Sequence, residues 1–357
     1  MRAWAVVENG QPLKEIELPT PEPTGTEVLL EVTHCGVCHS DLHIWEGYYD
    51  VGGGQKMSLV DRGVVLPLAM GHEIVGRVVK LGPDAKGVKI GDLRIVFPWL
   101  GCGKCETCLA EEDNMCIVAA RSLGVYQNGG YGTHVVAPHP RHLVDPGSLD
   151  PAVAATYACS GITVFSAIKK AMPLAPEQPI VLVGAGGLGL NAIAVLKAMK
   201  HQNIISVDVS VEKREAALKA GAHKVVDGSG DGPTVTKRII EAAGAPVLAV
   251  IDLVNGTATA RFAFGALAKG GKLIQVGLFG GELMLPLPIM AIRALTVRGS
   301  YVGNPKELRE LVKLAQDGEL EALPVATVPQ SQAHEALMRL RDGKVTGRLV
   351  LKAEAVA

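Results

Sequence analysis

Aromatic side chains are scarce in this 357-residue chain: Trp, Tyr and Phe together make up 4% of it. Few flat surfaces are therefore available for stacking. Neither sign of charge is in excess, with Lys+Arg 35 against Asp+Glu 36 and a net charge of −1. A chain so neutral has no basic field with which to hold nucleic acid or an anionic membrane. The opening residues, Met1-Arg2-Ala3-Trp4-Ala5-Val6-Val7-Glu8, contain no apolar core of signal-peptide length. An even cysteine count is missing too. Seven cysteines cannot all pair, and Cys102, Cys105, Cys108 and Cys116 crowd into fifteen residues. Thiolates kept reduced for a metal fit that clustering better than a disulfide framework, and they predict a cytoplasmic location.

Hydrophobic residues at 48% and charged residues at 20% describe a folded chain and exclude wholesale disorder. Its length suggests two domains. Up to about residue 150, short alternating runs punctuated by Gly and Pro, such as Glu27–Val32, Glu73–Lys80 and Leu93–Phe97, read as a β-rich domain. Beyond Pro151, strand-like runs Ile180–Val183, Ile204–Val207, Val247–Ile251 and Leu273–Val276 alternate with helical stretches Leu188–Lys200, Val211–Ala220 and Thr257–Ala268. That alternation predicts an α/β fold with a parallel, doubly wound sheet. After Thr296 the β-rich texture partly returns. The expected organisation is residues 1–155 and 297–357 in one domain, with 156–296 inserted as the other. The uncharged run Gln178 to Leu196 is long enough to raise a membrane helix, but four glycines break it directly after a strand. It reads as strand, turn and helix of a soluble sheet, with no membrane partner.

Gly184-Ala185-Gly186-Gly187-Leu188-Gly189 is a GxGxxG pattern, which by itself fits any glycine-rich turn. Here it follows a strand, opens a helix and precedes Asp208 at the end of the next strand, which is the context of a dinucleotide site. The glycines allow a tight turn, backbone approach to a pyrophosphate and close helix–strand packing, while the helix N-terminus offers free N–H groups. A carboxylate at Asp208 accepts hydrogen bonds from the adenosine ribose and repels a 2′-phosphate, so NAD is expected over NADP. Lys213 and Arg214 just beyond either soften that repulsion or form a solvated helical turn.

Cys102-x2-Cys105-x2-Cys108-x7-Cys116 is a strong metal signal. Four thiolates close a tetrahedron around Zn²⁺ with a formal charge of −2 and no open position, so this site is structural. A nucleic-acid zinc ribbon would share the spacing, but the neutral charge and the dinucleotide pattern argue against it. Of the remaining cysteines, Cys38 and Cys159 stand with His72 as chemically suitable residues scattered along the sequence, as at a domain cleft. A buried apolar thiol is the common alternative for each cysteine.

Five motifs occur in order: Cys35-Gly36-Val37-Cys38-His39-Ser40-Asp41; Gly71-His72-Glu73-x2-Gly76-x5-Gly82; the four-cysteine lobe; Ala158-Cys159-Ser160-Gly161-Ile162-Thr163; and Gly184–Gly189. Together they resemble zinc-dependent medium-chain alcohol dehydrogenases over nearly the whole chain. The resemblance implies a β-rich GroES-like catalytic domain, a Rossmann cofactor domain, and two zinc ions per subunit. Cys38, His72 and Cys159 match the catalytic zinc ligands, and Cys35 is no ligand in that pattern. Glu73 matches a carboxylate just behind the metal and Asp41 the partner that orients His72. Ser40 and His43 match the hydroxyl and outer histidine of a proton relay. His39 and Arg348 match contacts to the cofactor pyrophosphate.

The implied activity is reversible oxidation of primary or secondary alcohols to aldehydes or ketones, with hydride passed to NAD. A polyol or other hydroxy-compound dehydrogenase would carry the same metal ligands; a non-enzymatic nucleotide- and zinc-binding protein is the remote alternative. The 34 residues from Cys38 to His72 exceed what common members of that family carry, and the extra material around Gly52–Arg62 is polar and glycine-rich. It is expected to be an exposed loop, either near the cleft mouth or functionally neutral. Trp45, Phe97 and Trp99 are expected to be either pocket walls or core anchors. The apolar stretch Leu283–Ile289 is an expected inter-subunit edge, consistent with the dimers or tetramers that the resemblance implies.

Overall fold

Glycine and β-branched residues shape the N-terminal half of the computed structural model, which describes residues 1–119 and 121–354. Val28–Gly36 is a nine-residue strand whose aliphatic positions are buried and whose Glu31 faces water. It lies in a seven-stranded sheet and pairs antiparallel with Glu73–Leu81. Two register shifts bend the pair and bring Gly36 opposite Glu73. That register places Cys38, two residues past one strand end, beside His72, one residue before the other strand begins.

Asp41 then starts a helix over His39–Glu46, its carboxylate accepting the Cys38 N–H at 2.9 Å. One short helix and its N-cap therefore carry Cys38, His39, Ser40 and Asp41 in its first turn and His43 in its last.

The second half forms a six-stranded parallel sheet in the spatial order Lys224–Asp227, Ile204–Asp208, Ile180–Val183, Val247–Asp252, Leu267–Gln275, Thr296–Gly299. Numbered along the chain this is 3-2-1-4-5-6, the doubly wound arrangement whose strand order reverses beside Ile180–Val183. Two details differ from the sequence expectation. The helix expected over Thr257–Ala268 ends at Gly265, because Leu267 already pairs with Val247 and the next strand runs Leu267–Gln275. The α/β sheet also extends past residue 296, since Thr296–Gly299 is its sixth strand. The exposed Thr296, Arg298 and Gly299 of that edge strand give it the polar texture of the β-rich domain.

The chain rejoins the first sheet only at Val325–Pro329 and Arg348–Lys352. Arg348–Lys352 pairs antiparallel with Val28–Gly36, with Val350 opposite Gly36, so Arg348 comes to the strand end that holds Glu73.

A continuous helical run over Pro151–Ala171 connects the two halves. Asp150 caps it by accepting the Ala152 and Val153 N–H groups at 2.8 and 3.1 Å. The run is long and apolar enough to cross a membrane, yet 89% of its apolar window is buried within this chain, as in a core helix. One hydrophobic cluster is continuous from Ile74 and Cys159 to Ile193 and Ile251, joining the first sheet to one face of the second. A separate cluster with Val183, Ile205, Val250 and Phe262 covers the other face.

The extra segment is a hairpin, Tyr48–Asp50 against Lys56–Ser58. It is not free in solvent. A Cβ built on Gly280 would lie 2.7 Å from Asp50 Cβ, and one on Gly52 would lie 2.9 Å from Glu282 Cβ. The hairpin therefore packs on a loop of the α/β domain.

Candidate active site

Cys38, His72 and Cys159 converge in the interior, with one ligand atom from each within 4.8 Å of the others. The sulfurs of Cys38 and Cys159 are 3.9 Å apart although 121 residues separate them. His72 is fully buried. Its Nδ1 lies 3.3 Å from Asp41 Oδ1 without forming a hydrogen bond, and Nε2 is likewise buried without a partner. A buried polar nitrogen without a partner is unfavourable unless something fills its place. Two sulfurs and an imidazole nitrogen, with the Asp41 carboxylate close behind the ring, are a donor set that suits zinc.

The local electrostatics point to a cation as well. Burial alone would lower the His72 pKa, but the Asp41 carboxylate and the Cys38 thiolate outweigh it and push it up to about 10. Cys38 is held well below the usual thiol range, first by the hydrogen bond from Cys159, whose own thiol is pushed up. Surroundings that retain a proton on His72 so strongly favour a divalent cation for the same reason.

Asp41 is fully buried and also accepts from the Gly71 N–H and the Tyr131 hydroxyl, both at 3.3 Å. Glu73 is fully buried. Its Oε1 accepts from the Arg348 guanidinium and from the Ser160 N–H, the latter at 3.3 Å. A side chain on Gly36 would collide with Glu73, so the glycine makes room for this carboxylate. Arg348 also packs against the glycine-rich turn: a Cβ on Gly187 would lie 2.7 Å from its Cδ. Its charge is thus neutralised by Glu73 while its stem borders the expected cofactor site.

Ser40 and His43 lie three residues apart on the short helix, a spacing that puts both on one face. The His43 ring packs on Tyr49 at 4.9 Å, and burial lowers its pKa. His39 is exposed and faces the charges of Arg348 and Lys213.

At the turn, Gly184 has φ +99°, a conformation reserved for glycine, and a Cβ on Gly189 would strike the Gly184 carbonyl. Gly186 caps the helix Gly187–Ala198, and a Cβ there would meet nothing, so this face of the turn is open to a ligand. Leu188 follows in the first turn. Asp208 accepts from the Ala185 N–H at 2.8 Å and the Ser210 N–H at 2.9 Å, fixing the carboxylate beside the turn. Lys213 lies in the next helix, its N–H capped by Ser210. Arg214 is committed elsewhere, donating to the Asp208 and Val209 carbonyls and to Asp227.

The four lobe cysteines also converge, with all sulfurs within 4.8 Å of one another. The lobe is anchored from outside by Arg141, which donates to the Cys108 carbonyl at 2.8 Å and to Asp113 Oδ1 at 2.6 Å.

The three aromatic candidates separate. Phe97 is core and stacks on His142; Trp45 is buried and donates to the Gln11 carbonyl. Trp99 alone reaches the cluster, its ring 5.0 Å from His72 and 5.8 Å from Tyr301. Tyr49 and Tyr301 were not legible as site residues, because neither sits in a motif; only their rarity as aromatics hinted at a role.

The alcohol dehydrogenase GroES-like domain family matches residues 24–146, and the zinc-binding dehydrogenase family matches residues 187–317. An NAD-dependent alcohol dehydrogenase of Sulfurisphaera tokodaii is 39% identical over 353 residues, 98% of this chain and 99% of the relative. A second NAD-dependent alcohol dehydrogenase, from Saccharolobus solfataricus, shows the same identity and coverage. The crystal structure of the Aeropyrum pernix alcohol dehydrogenase superposes with a TM-score of 0.89 at 31% identity, covering 99% of this chain and 100% of that one. With two sulfur-rich clusters, a glycine turn of dinucleotide type and full-length relatives of this kind, the chain belongs to the zinc-dependent medium-chain alcohol dehydrogenases.

Proposed function

We propose that Cys38, His72 and Cys159 hold the catalytic zinc of this NAD-dependent, alcohol-oxidising enzyme, and that Cys102, Cys105, Cys108 and Cys116 hold a structural one. The observation that carries this reading is the meeting of two sulfurs with the fully buried His72 ring, neither of whose nitrogens has a hydrogen-bond partner. Zinc held by two thiolates and a neutral imidazole supplies Lewis acidity toward the substrate oxygen. Asp41 keeps the His72 ring oriented. Ser40 takes the hydroxyl proton and passes it toward His43, which burial keeps neutral and able to accept it near neutral pH. Glu73, held by Arg348 and the Ser160 N–H, supports the site from behind.

The open face at Gly186 and the helix N-terminus beginning at Gly187 receive the cofactor pyrophosphate, with Leu188 in that first turn and His39, Lys213 and Arg348 around it. Asp208 meets the adenosine ribose. Arg214 is tied to backbone carbonyls and Asp227, so it does not offset the repulsion of a 2′-phosphate.

The enzyme works as a homodimer or homotetramer. Phe279, Met284, Leu287 and Ile292 are more than two-thirds exposed on one stretch beside the edge strand Thr296–Gly299, a surface suited to a second subunit. A cytoplasmic location accords with seven unpaired cysteines, six of them in ligand clusters.

A panel of alcohols assayed with NAD and NADP, with zinc quantified in parallel, tests the assignment. It should give NADH formation and two zincs per chain. One zinc per chain would overturn it, and a monomer by light scattering would overturn the oligomer.

A further inference from the structure

Asn191 is the only polar side chain in the run Ile180–Leu196. It is 1% exposed, in the middle of the helix whose N-terminus faces the cofactor site. Leaving its amide unpaired there would be strongly unfavourable. Its Nδ2 donates to Ser160 Oγ at 2.9 Å, and that hydroxyl donates to the Thr156 carbonyl, also at 2.9 Å.

Ser160 follows Cys159 in a π-helical turn, Tyr157–Gly161, that interrupts the connecting helix. Such wide turns recur at functional positions. The Ser160 N–H donates to Glu73 Oε1, the oxygen that Arg348 also grips. Arg348 in turn rests against Gly187. Gly187 and Asn191 are four residues apart and so share one helix face. Two arms from that face, one through Arg348 and one through Ser160, therefore meet on Glu73 beside Cys159.

We propose that Asn191 is a positioning residue: through Ser160 it transmits the seating of the cofactor helix to the turn that carries Cys159. A dinucleotide settling on the helix N-terminus pulls on both arms, and the Asn191 arm fixes where the Cys159 sulfur stands. The residue touches neither substrate nor cofactor. The idea rests on Cys159 being a catalytic-zinc ligand.

The experiment replaces the catalytic zinc of the full-length protein with cobalt(II) and follows its thiolate charge-transfer and visible bands as NADH is added. In the wild type, NADH should shift these bands. In Asn191→Ala the shift should fall by at least half at saturating NADH, with kcat lower by about tenfold and KM for NAD within about twofold. Ser160→Ala should reproduce the loss and keeps the test alive should Asn191→Ala fold poorly. The double variant should lose no more than either single one, because both break one hydrogen bond.

A wild-type-sized band shift in either variant, whatever the change in thermal stability, would overturn the proposal and reduce Asn191 to a structural tie. Additive losses in the double variant would also overturn it. Wild-type protein that takes up no metal at the Cys38 cluster would instead overturn the ligand assignment, and this proposal with it.

Discussion

The two sulfur-rich clusters use similar atoms to opposite ends. The lobe draws four ligands from fifteen consecutive residues, three of them partly exposed, and closes on itself. The other draws three buried ligands from three distant segments and leaves a corner unfilled. Four thiolates saturate zinc; two thiolates and an imidazole do not. On the proposed assignment, the difference teaches that reactivity is set by what the fold withholds. Strand register and a helix crossing deliver only three donors to the interior, and Asp41 and Glu73 support that set without completing it.

Breaking one ligand in each cluster gives the largest contrast. Cys38→Ser should lose one zinc per chain and reduce NADH formation by more than the roughly 10–100-fold typical of supporting residues. Cys108→Ser should also lose one zinc, but its main effect should be a lower thermal midpoint, because that metal contributes folding free energy. Metal analysis, turnover and thermal unfolding on the same preparations check both. Full activity in zinc-depleted Cys38→Ser would contradict the division of labour.

The supporting carboxylates sharpen the same comparison at smaller scale. Asp41→Asn keeps the shape but removes the charge facing His72 Nδ1, so zinc affinity or activity should fall by about 10–100-fold. Asp113→Asn weakens the Arg141 anchor of the lobe and should lower stability by about 1–3 kcal/mol with turnover nearly unchanged. Chelator titration reads the first and chemical unfolding the second. A turnover loss in Asp113→Asn as large as in Asp41→Asn would erase the distinction between a reactive and a supporting metal.

Cofactor choice is the next effect. Asp208→Ala should narrow the preference for NAD over NADP by about tenfold, the worth of one lost charged contact of about 1.4 kcal/mol. The ratio of kcat/KM for the two cofactors measures it, and an unchanged ratio would remove Asp208 from the site.

The clusters also differ in how much of each was legible beforehand. The lobe could be read from spacing alone, because a metal loop is a local object, and so could the glycine turn with Asp208. Cys38, His72 and Cys159 were only chemically plausible until family likeness tied them together; their meeting depends on Gly36 pairing with Glu73, which no local pattern encodes. The Glu73–Arg348 pair depends on the last strand returning to the first sheet, and so could not be seen along the sequence. The edge strand Thr296–Gly299 misled because an exposed parallel strand has the polar texture of an antiparallel one. Asn191 is the one polar residue of the run Ile180–Leu196, but its partner lies on another element, so the sequence alone does not show what it does.

The smallest expected effect concerns two histidines, one near each cluster. Burial lowers the pKa of His43 and, against the pull of Asp113, that of His142. In both cases the unfolded chain takes up a proton before the folded one as pH falls. Their stability contribution is therefore fully retained above pH about 6.5 and declines as pH drops toward the lowered folded values. The kinetic consequence should differ. If His43 accepts the relayed proton, kcat/KM falls on the acid side as His43 becomes charged, and His43→Gln should lower the plateau and flatten that limb. His142→Gln should leave the limb in place, since His142 stacks on Phe97 beside Asp113. Profiles of kcat/KM from pH about 5 to 9 for the two variants decide it. An acid limb that survives in His43→Gln would assign the proton to another acceptor.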